Sequence, residues 1–317
     1  MGALLWDQHL CLPLQPDTAV TPLTRYQRSG GALVSVNAGY SPHSLHDTLV
    51  LLGHYRDAVA AHPGLQLAAT VDDIAAITST GCVAVIFDLE DSRPLDDDLA
   101  NVRVLAELGV RTLLPTYNHA NRAGSGCLDT DDGGLTAWGR SIIRELNEVG
   151  IVPDGSHCSV RTGLDIGETS QGPMVYSHSC MKAIWDHPRN ITDDQARLCA
   201  ATGGVIGITG VGIFLGPNTP NLEAMTRHLE YAVELVGVDH VGISSDFSFD
   251  YADFVAELTH NPHLFDDSYT RWGPIRWMAP ETLLTLGEHL SGRGWTNADI
   301  EAVMSANFRR VAEHSWR

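Results

Sequence analysis

Positive charge is scarce in this sequence. Only 20 Lys and Arg residues stand against 39 Asp and Glu in 317 residues, a formal net charge of −19. Phosphate backbones and anionic membrane surfaces are held by clustered cations, so this balance argues against nucleic acid or membrane as the main partner. The six cysteines, at positions 11, 82, 127, 158, 180 and 199, lack CxxC spacing. That scatter argues against a disulfide framework and for small buried thiols. No basic segment followed by an apolar run appears near the start, and no stretch approaches the roughly 20 apolar residues of a membrane span. A cytoplasmic protein is expected. No internal repeat, linker or low-complexity tract divides the chain, so one domain over 1–317 is expected.

What the sequence does contain is alternation. Short runs rich in Val, Ile and Leu occur at 3–12, 32–40, 83–90, 111–117, 151–158, 174–180, 204–210 and 240–247. Amphipathic segments such as 95–109, 135–150 and 192–204 separate them, with Asp or Thr near their starts and Gly at their ends. Eight strands, apolar on both faces and each followed by a helix, predict an α/β fold: a closed parallel (β/α)8 TIM barrel. The largely helical sequence after Phe247 is read as the last barrel helix plus a C-terminal extension.

Several runs end in a residue that can bind metal or move a proton, where a strand that only fills a barrel would continue with Val or Leu. These are His9 with Cys11, Glu90, Tyr117, His157, His178 and Asp246. In a closed barrel the C-terminal strand ends converge on one mouth, where such folds place their chemistry. Singly, a buried His is usually a hydrogen-bonded core residue and a terminal Glu is usually solvated. Together, three His, one Glu and one Asp suit a borderline divalent ion such as Zn2+.

The segments LGVRTLLPTYNHANRAGSGC, GLTAWGRSIIRELNEVGIVPDGSHCS and VYSHSCMKAIWDHPRN add specificity. In them, SHCS is followed about twenty residues later by SHS and then HPRN. Over 102–190 the chain resembles the membrane dipeptidase (renal dipeptidase) family of zinc hydrolases, in the amidohydrolase superfamily. Weaker similarity runs on through GGVIGITG and HVGISSDF. The resemblance implies a binuclear zinc site with His9 on the first strand, Glu90 bridging both ions, and His157 and His178 on the second ion. It implies that Asp246 handles the proton, that Arg189 holds the substrate carboxylate, and that a metal-activated hydroxide attacks an amide carbon. It also suggests a homodimer.

Four positions depart from the family pattern. Cys11 stands where the family has Asp, either as a thiolate ligand or as a packed thiol. Asp91 and Ser92 replace two glycines, which would add side chains and charge near the metals. Tyr117 stands where the animal members carry a histidine that polarises the scissile carbonyl, a change shared with bacterial relatives that have a TYN sequence, and its phenol can donate that hydrogen bond. The function expected is a metal-dependent hydrolase of the dipeptidase type, acting on a small-molecule substrate. The alternatives are hydrolysis of a non-dipeptide amide or lactam, and a catalytically silent ligand-binding barrel. Asp246 as a helix N-cap and Arg189 as a partner for a loop carboxylate are the structural readings of those two residues. His119, His187 and Asp250 are expected to be supporting or surface residues.

Overall fold

A computed structural model describes residues 4–317; Met1 to Ala3, and with them the first residue of the run expected at 3–12, lie outside the described residues. The strands are β1 (Leu5–Cys11), β2 (Ala32–Asn37), β3 (Leu65–Leu67), β4 (Val83–Leu89), β5 (Val110–Leu113), β6 (Val152–Pro153), β7 (Val175–Ser179), β8 (Val205–Thr209), β9 (Val241–Ser244) and β10 (Phe247–Ser248). β1, β2, β4, β5 and β6 form one continuous parallel ladder, and β7, β8 and β9 form another. Two seams join them. At the first, Asp154 bridges in parallel to Val175 and the Gly155 N–H donates to the Val175 carbonyl at 2.8 Å. At the second, the Asp246 N–H donates to the His9 carbonyl at 2.9 Å, and β10 pairs with β1. The eight parallel strands therefore close on themselves as a (β/α)8 barrel. β3, whose three residues form no apolar run, pairs with β4 outside that circuit and was not foreseen.

Capping sets the helix starts. Thr192 and Gln195 form a reciprocal capping box on the helix Asp193–Ala201, and the Thr136 hydroxyl accepts from the Gly139 N–H to open the helix Ala137–Val149. Gly150 ends the latter helix at φ 85°, a conformation that a Cβ disfavours. The C-terminal extension ends in the helix Asn307–Ser315, which seals the barrel floor. Phe308 stacks on Trp6 of β1 at 6.4 Å between ring centroids, and Leu33, Ile86, Val152 and Val205 complete that apolar layer.

Above the floor the barrel interior departs from the expected apolar filling. Asp7, Ser35, Asp88, Asp154, Ser177 and Thr209 are all buried. The carboxylates are hydrogen-bonded: Tyr26 Oη donates to Asp7 at 2.5 Å, the Ser245 N–H donates to Asp7 at 2.7 Å, and Ser35 Oγ donates to Asp88 at 2.5 Å. Such pairing is what allows polar groups to remain buried.

Helix Leu222–Val236 carries a buried histidine with a consequence for stability. His228 accepts from the Met181 N–H at Nδ1, 3.1 Å, and its Nε2–H lies 3.2 Å from the Leu215 carbonyl, so the neutral ring is doubly bonded. Burial holds its pKa down, to about 4. The unfolded chain then binds the extra proton first, so stability is intact above about pH 6.5 and falls as pH drops from there toward 4. We expect wild type to lose roughly 3 kcal/mol across that window from this group. A His228→Gln variant should show a flatter curve of melting temperature against pH between 4 and 6.5; identical slopes would exclude His228 as the source.

Candidate metal centre

Strand parity brings the central residues inside. On β4 the outward positions Val83, Val85, Phe87 and Leu89 join the core between barrel and helices, whereas Ala84 and Ile86 join the floor layer. Two-residue alternation then turns Asp88 and Glu90 inward. On β1 the parity breaks. Leu5 and Leu10, an odd number of residues apart, both pack in the outer core, because the β1–β2 register shifts between Asp7 and Leu10. This bulge re-aims His9 and Cys11 toward the mouth.

Three imidazole Nε2 atoms converge on Glu90 Oε1: His157 at 3.1 Å, His178 at 3.2 Å and His9 at 3.5 Å. Every Nδ1 is already engaged. His9 Nδ1 lies 2.9 Å from Asp88 Oδ1, His157 Nδ1 lies 2.7 Å from Asn118 Oδ1, and His178 Nδ1 lies 2.7 Å from Ser177 Oγ. Asp88 and Asn118 accept, so the Nδ1 atoms of His9 and His157 carry a proton and each Nε2 faces inward; in the neutral ring that Nε2 bears the lone pair a metal requires. The buried Nε2 of His178 has no hydrogen-bond partner. Asn37 Nδ2 donates to the second oxygen of Glu90.

Cys11 Sγ lies 3.6 Å from His9 Nε2, and Asp246 Oδ1 lies 3.7 Å from the same nitrogen. The donor atoms of His9, Cys11 and Asp246 lie within 4.8 Å of one another, as do those of His9, Glu90 and His178. With bonds of about 2.3 Å to sulfur and about 2.0–2.2 Å to nitrogen or oxygen, tetrahedral ligation separates S from N by about 3.6 Å and N from O by about 3.4 Å. The observed spacings therefore fit a divalent ion.

Backbone strain gathers at the same place. Asn118, His157 and Asp246 adopt φ values of 58°, 62° and 50°. Left-handed backbone in non-glycine residues costs energy and recurs at functional sites. It also explains why the strands stop early. The runs expected at 111–117, 151–158 and 240–247 leave the ladder at Leu113, Pro153 and Ser244, so Tyr117, His157 and Asp246 stand on the loops that follow.

Electrostatics follows from enclosure. Burial pushes Glu90 up to about 8 and Asp246 up to about 6, with His9 opposing both shifts. Burial also lifts Cys11 to about 12. His157 and His178 are held well below the ordinary imidazole range by burial, with Arg189 and His9 adding to it. Burial disfavours charge on His9 too, but Asp88 and Glu90 outweigh it and raise that ring.

A cleft opens over these groups, lined by Cys11, Glu90, Tyr117, His157 and Asp246 and walled by aromatic rings that include Tyr40, Phe254 and Trp277. Tyr117 stacks on His157 at 4.1 Å between centroids. Arg189 is buried beside this cleft and does not line it. Its Nη2 donates to the His178 carbonyl at 3.3 Å, its guanidinium lies 5.1 Å from the Phe214 ring centroid, and its Nε has no partner.

Asp91 and Ser92 do not add charge to the metal-facing surface as expected. Asp91 is turned into the loop after β5, accepting from the Tyr117 N–H at 3.0 Å, the Arg93 N–H at 2.7 Å and Asn121 Nδ2 at 2.9 Å. Ser92 Oγ donates to the Pro115 carbonyl at 2.7 Å. Both side chains pin the segment that carries Tyr117. The helix Tyr251–His260 takes Asp250 as its N-cap, through the Ala252 and Asp253 N–H groups, and Asp246 is free of that duty. His119 pairs with Asp129 away from the cluster, and His187 is buried against the Ser268 carbonyl. Sequence reasoning missed Asp88, Asn118 and Asn37. Asp88 was accessible to it, since it shares the inward face of β4 two residues before Glu90; Asn118 and Asn37 belong to other loops and strands and carry no local signal.

Comparison with known proteins agrees with this architecture. A chain described as an amidohydrolase from Pseudomonas aeruginosa superposes with a TM-score of 0.88 at 24% identity, covering 99% of this chain and 97% of that one. A metallo peptidase from Rhodobacter sphaeroides, liganded with a phosphinate mimic of the dipeptide L-Ala-D-Ala, superposes with a TM-score of 0.80 at 21% identity over 99% of this chain and 100% of that one. Dipeptidase verJ of Clonostachys rogersoniana is 32% identical over 185 residues, 58% of this chain. That match spans about half of the relative's own length, 48%. Among the described residues no helix is long and apolar enough to cross a membrane. The family described as membrane dipeptidase (peptidase family M19) matches residues 18–266, and this chain belongs to it.

Proposed function

We propose that this protein is a metal-dependent hydrolase of the dipeptidase type, cleaving an amide bond beside a free carboxylate. The observation that carries the reading is the convergence of three Nε2 atoms, two from strands β1 and β7 and one from the loop after β6, on one oxygen of Glu90. Imidazole and carboxylate donors favour Zn2+ as the ion, with His9, Glu90, His157 and His178 holding it. Metal held there would supply an ionised water near neutral pH and would polarise the carbonyl under attack.

The chain's own residues supply the remaining steps. Asp246, at the cleft wall 3.7 Å from His9 Nε2, accepts the proton released by the attacking water and returns it to the leaving amine. The Tyr117 phenol, held by its stacking on His157, donates to the developing oxyanion. Arg189 is the proposed partner of the substrate carboxylate through its buried Nε, a donor still lacking an acceptor; because it stands behind the cleft, that pairing requires the wall between them to give way. Aromatic walls exclude water from the reacting groups. The peptidase from Rhodobacter sphaeroides that holds a dipeptide mimic supports this substrate class.

The whole chain, 1–317, is proposed to be one folding unit, because the last helix seats Phe308 on Trp6 of the first strand. The six free cysteines suit a reducing, cytoplasmic setting. The test pairs elemental analysis of the purified protein with a panel of L-X-L-X and L-X-D-X dipeptides, with and without added Zn2+. Bound metal with turnover is expected. Metal without turnover of any dipeptide would move the reading to a different amide or a lactam, and a protein that binds no metal is no such hydrolase.

A further inference from the structure

We propose that Cys11 is a metal ligand, so that one half of the centre is a thiolate site built from His9 and Cys11 with the Asp246 carboxylate as third donor. The proposal rests on the metal-centre reading above and changes its chemistry. The family pattern has an aspartate at this position; here the donor is sulfur.

Four features support it. The Sγ to Nε2 separation of 3.6 Å, which a thiol hydrogen-bonded to the ring also adopts, equals the roughly 3.6 Å between sulfur and nitrogen on one tetrahedral zinc ion, so ligation needs no rearrangement. Cys11 lines the reacting cleft and is only partly buried, unlike Cys158, Cys180 and Cys199, which are enclosed in the core. The β1 bulge that turns His9 inward turns Cys11 with it, since the two stand two residues apart on one strand. His9 Nδ1 is anchored on Asp88, so the Nε2 lone pair faces the sulfur side of the cleft in a fixed orientation.

The two halves then differ in softness. Glu90, His157 and His178 offer oxygen and nitrogen only, whereas the His9–Cys11 half offers a thiolate, which selects Zn2+, Co2+ or Cd2+ over Mg2+ or Mn2+. The carboxylate-to-thiolate change keeps the ligand charge, so the net charge of the loaded centre is unaltered.

Cobalt reports this directly. Apo-protein is reconstituted with Co2+, and its absorption spectrum is recorded beside metal counts for wild type, Cys11→Ala and Cys11→Asp. Wild type is expected to bind about two ions per chain and to show a near-ultraviolet thiolate-to-cobalt charge-transfer band. Cys11→Ala should lose that band and about one ion. Cys11→Asp should keep about two ions without the band, which also controls for folding. In parallel, Zn2+ should slow iodoacetamide labelling of Cys11, read by peptide mass spectrometry, by roughly tenfold or more. Two cobalt ions with no charge-transfer band, or a band that survives in both variants, overturns the assignment and leaves the metal-centre reading standing. Failure of wild type to bind any metal overturns both.

Discussion

Glu90→Gln is expected to lower kcat/KM at least about a thousandfold, roughly 4 kcal/mol of transition-state stabilisation, and to strip metal from the centre. The reason lies in the two faces of this carboxylate. One oxygen receives three imidazole Nε2 atoms at 3.1–3.5 Å, and the other accepts from Asn37 Nδ2. Glutamine has one acceptor where glutamate has two. If its carbonyl satisfies Asn37, its NH2 faces three histidines with a group that cannot ligate. If it turns the carbonyl inward, two NH2 groups oppose each other in a buried site. Elemental analysis and steady-state kinetics on the same preparation check the outcome. Full metal content with activity within tenfold of wild type would remove Glu90 from the centre.

Asp246→Asn is expected to lower kcat by about 10²–10⁴ while leaving metal content near that of wild type. The substitution is chosen for its backbone. Asp246 sits at φ 50° with its N–H on the His9 carbonyl, and asparagine tolerates left-handed backbone as readily as aspartate, so the loop should keep its course. The carboxamide oxygen can still face the ion, but it cannot take and return a proton. Parallel measurement of kcat and bound metal separates the roles. A fall in metal matching the fall in rate would show that the third-donor role of Asp246 needs its carboxylate and accounts for the rate loss, and a kcat within tenfold of wild type would assign the proton to another group.

The legibility of this site in the sequence varied residue by residue. Glu90 and His178 could be found because each closes a run of apolar residues with a group that a buried strand does not otherwise tolerate. Asp91 and Ser92 were misplaced for a related reason. Adjacency to Glu90 suggested proximity to the metals, yet successive residues beyond a strand end turn to different partners, and both side chains serve the loop after β5. Arg189 was found through its HPRN context, and its position behind the cleft depends on packing against Phe214, a residue on the short helix Gly212–Leu215.

By itself the sequence determined the eight-strand alternation, the helix caps and the family, because hydrophobic period, capping and motif spacing are local properties that a few neighbouring residues express. The tertiary structure alone decided how the mouth is wired. The β1 bulge reverses strand parity so that His9 and Cys11 face inward, and left-handed backbone at His157 and Asp246 lifts their side chains off the ladders. Asp88 and Asn118 hold the His9 and His157 rings across 79 and 39 residues of chain. Register and such long-range hydrogen bonds arise only when distant strands meet, so no local pattern encodes them.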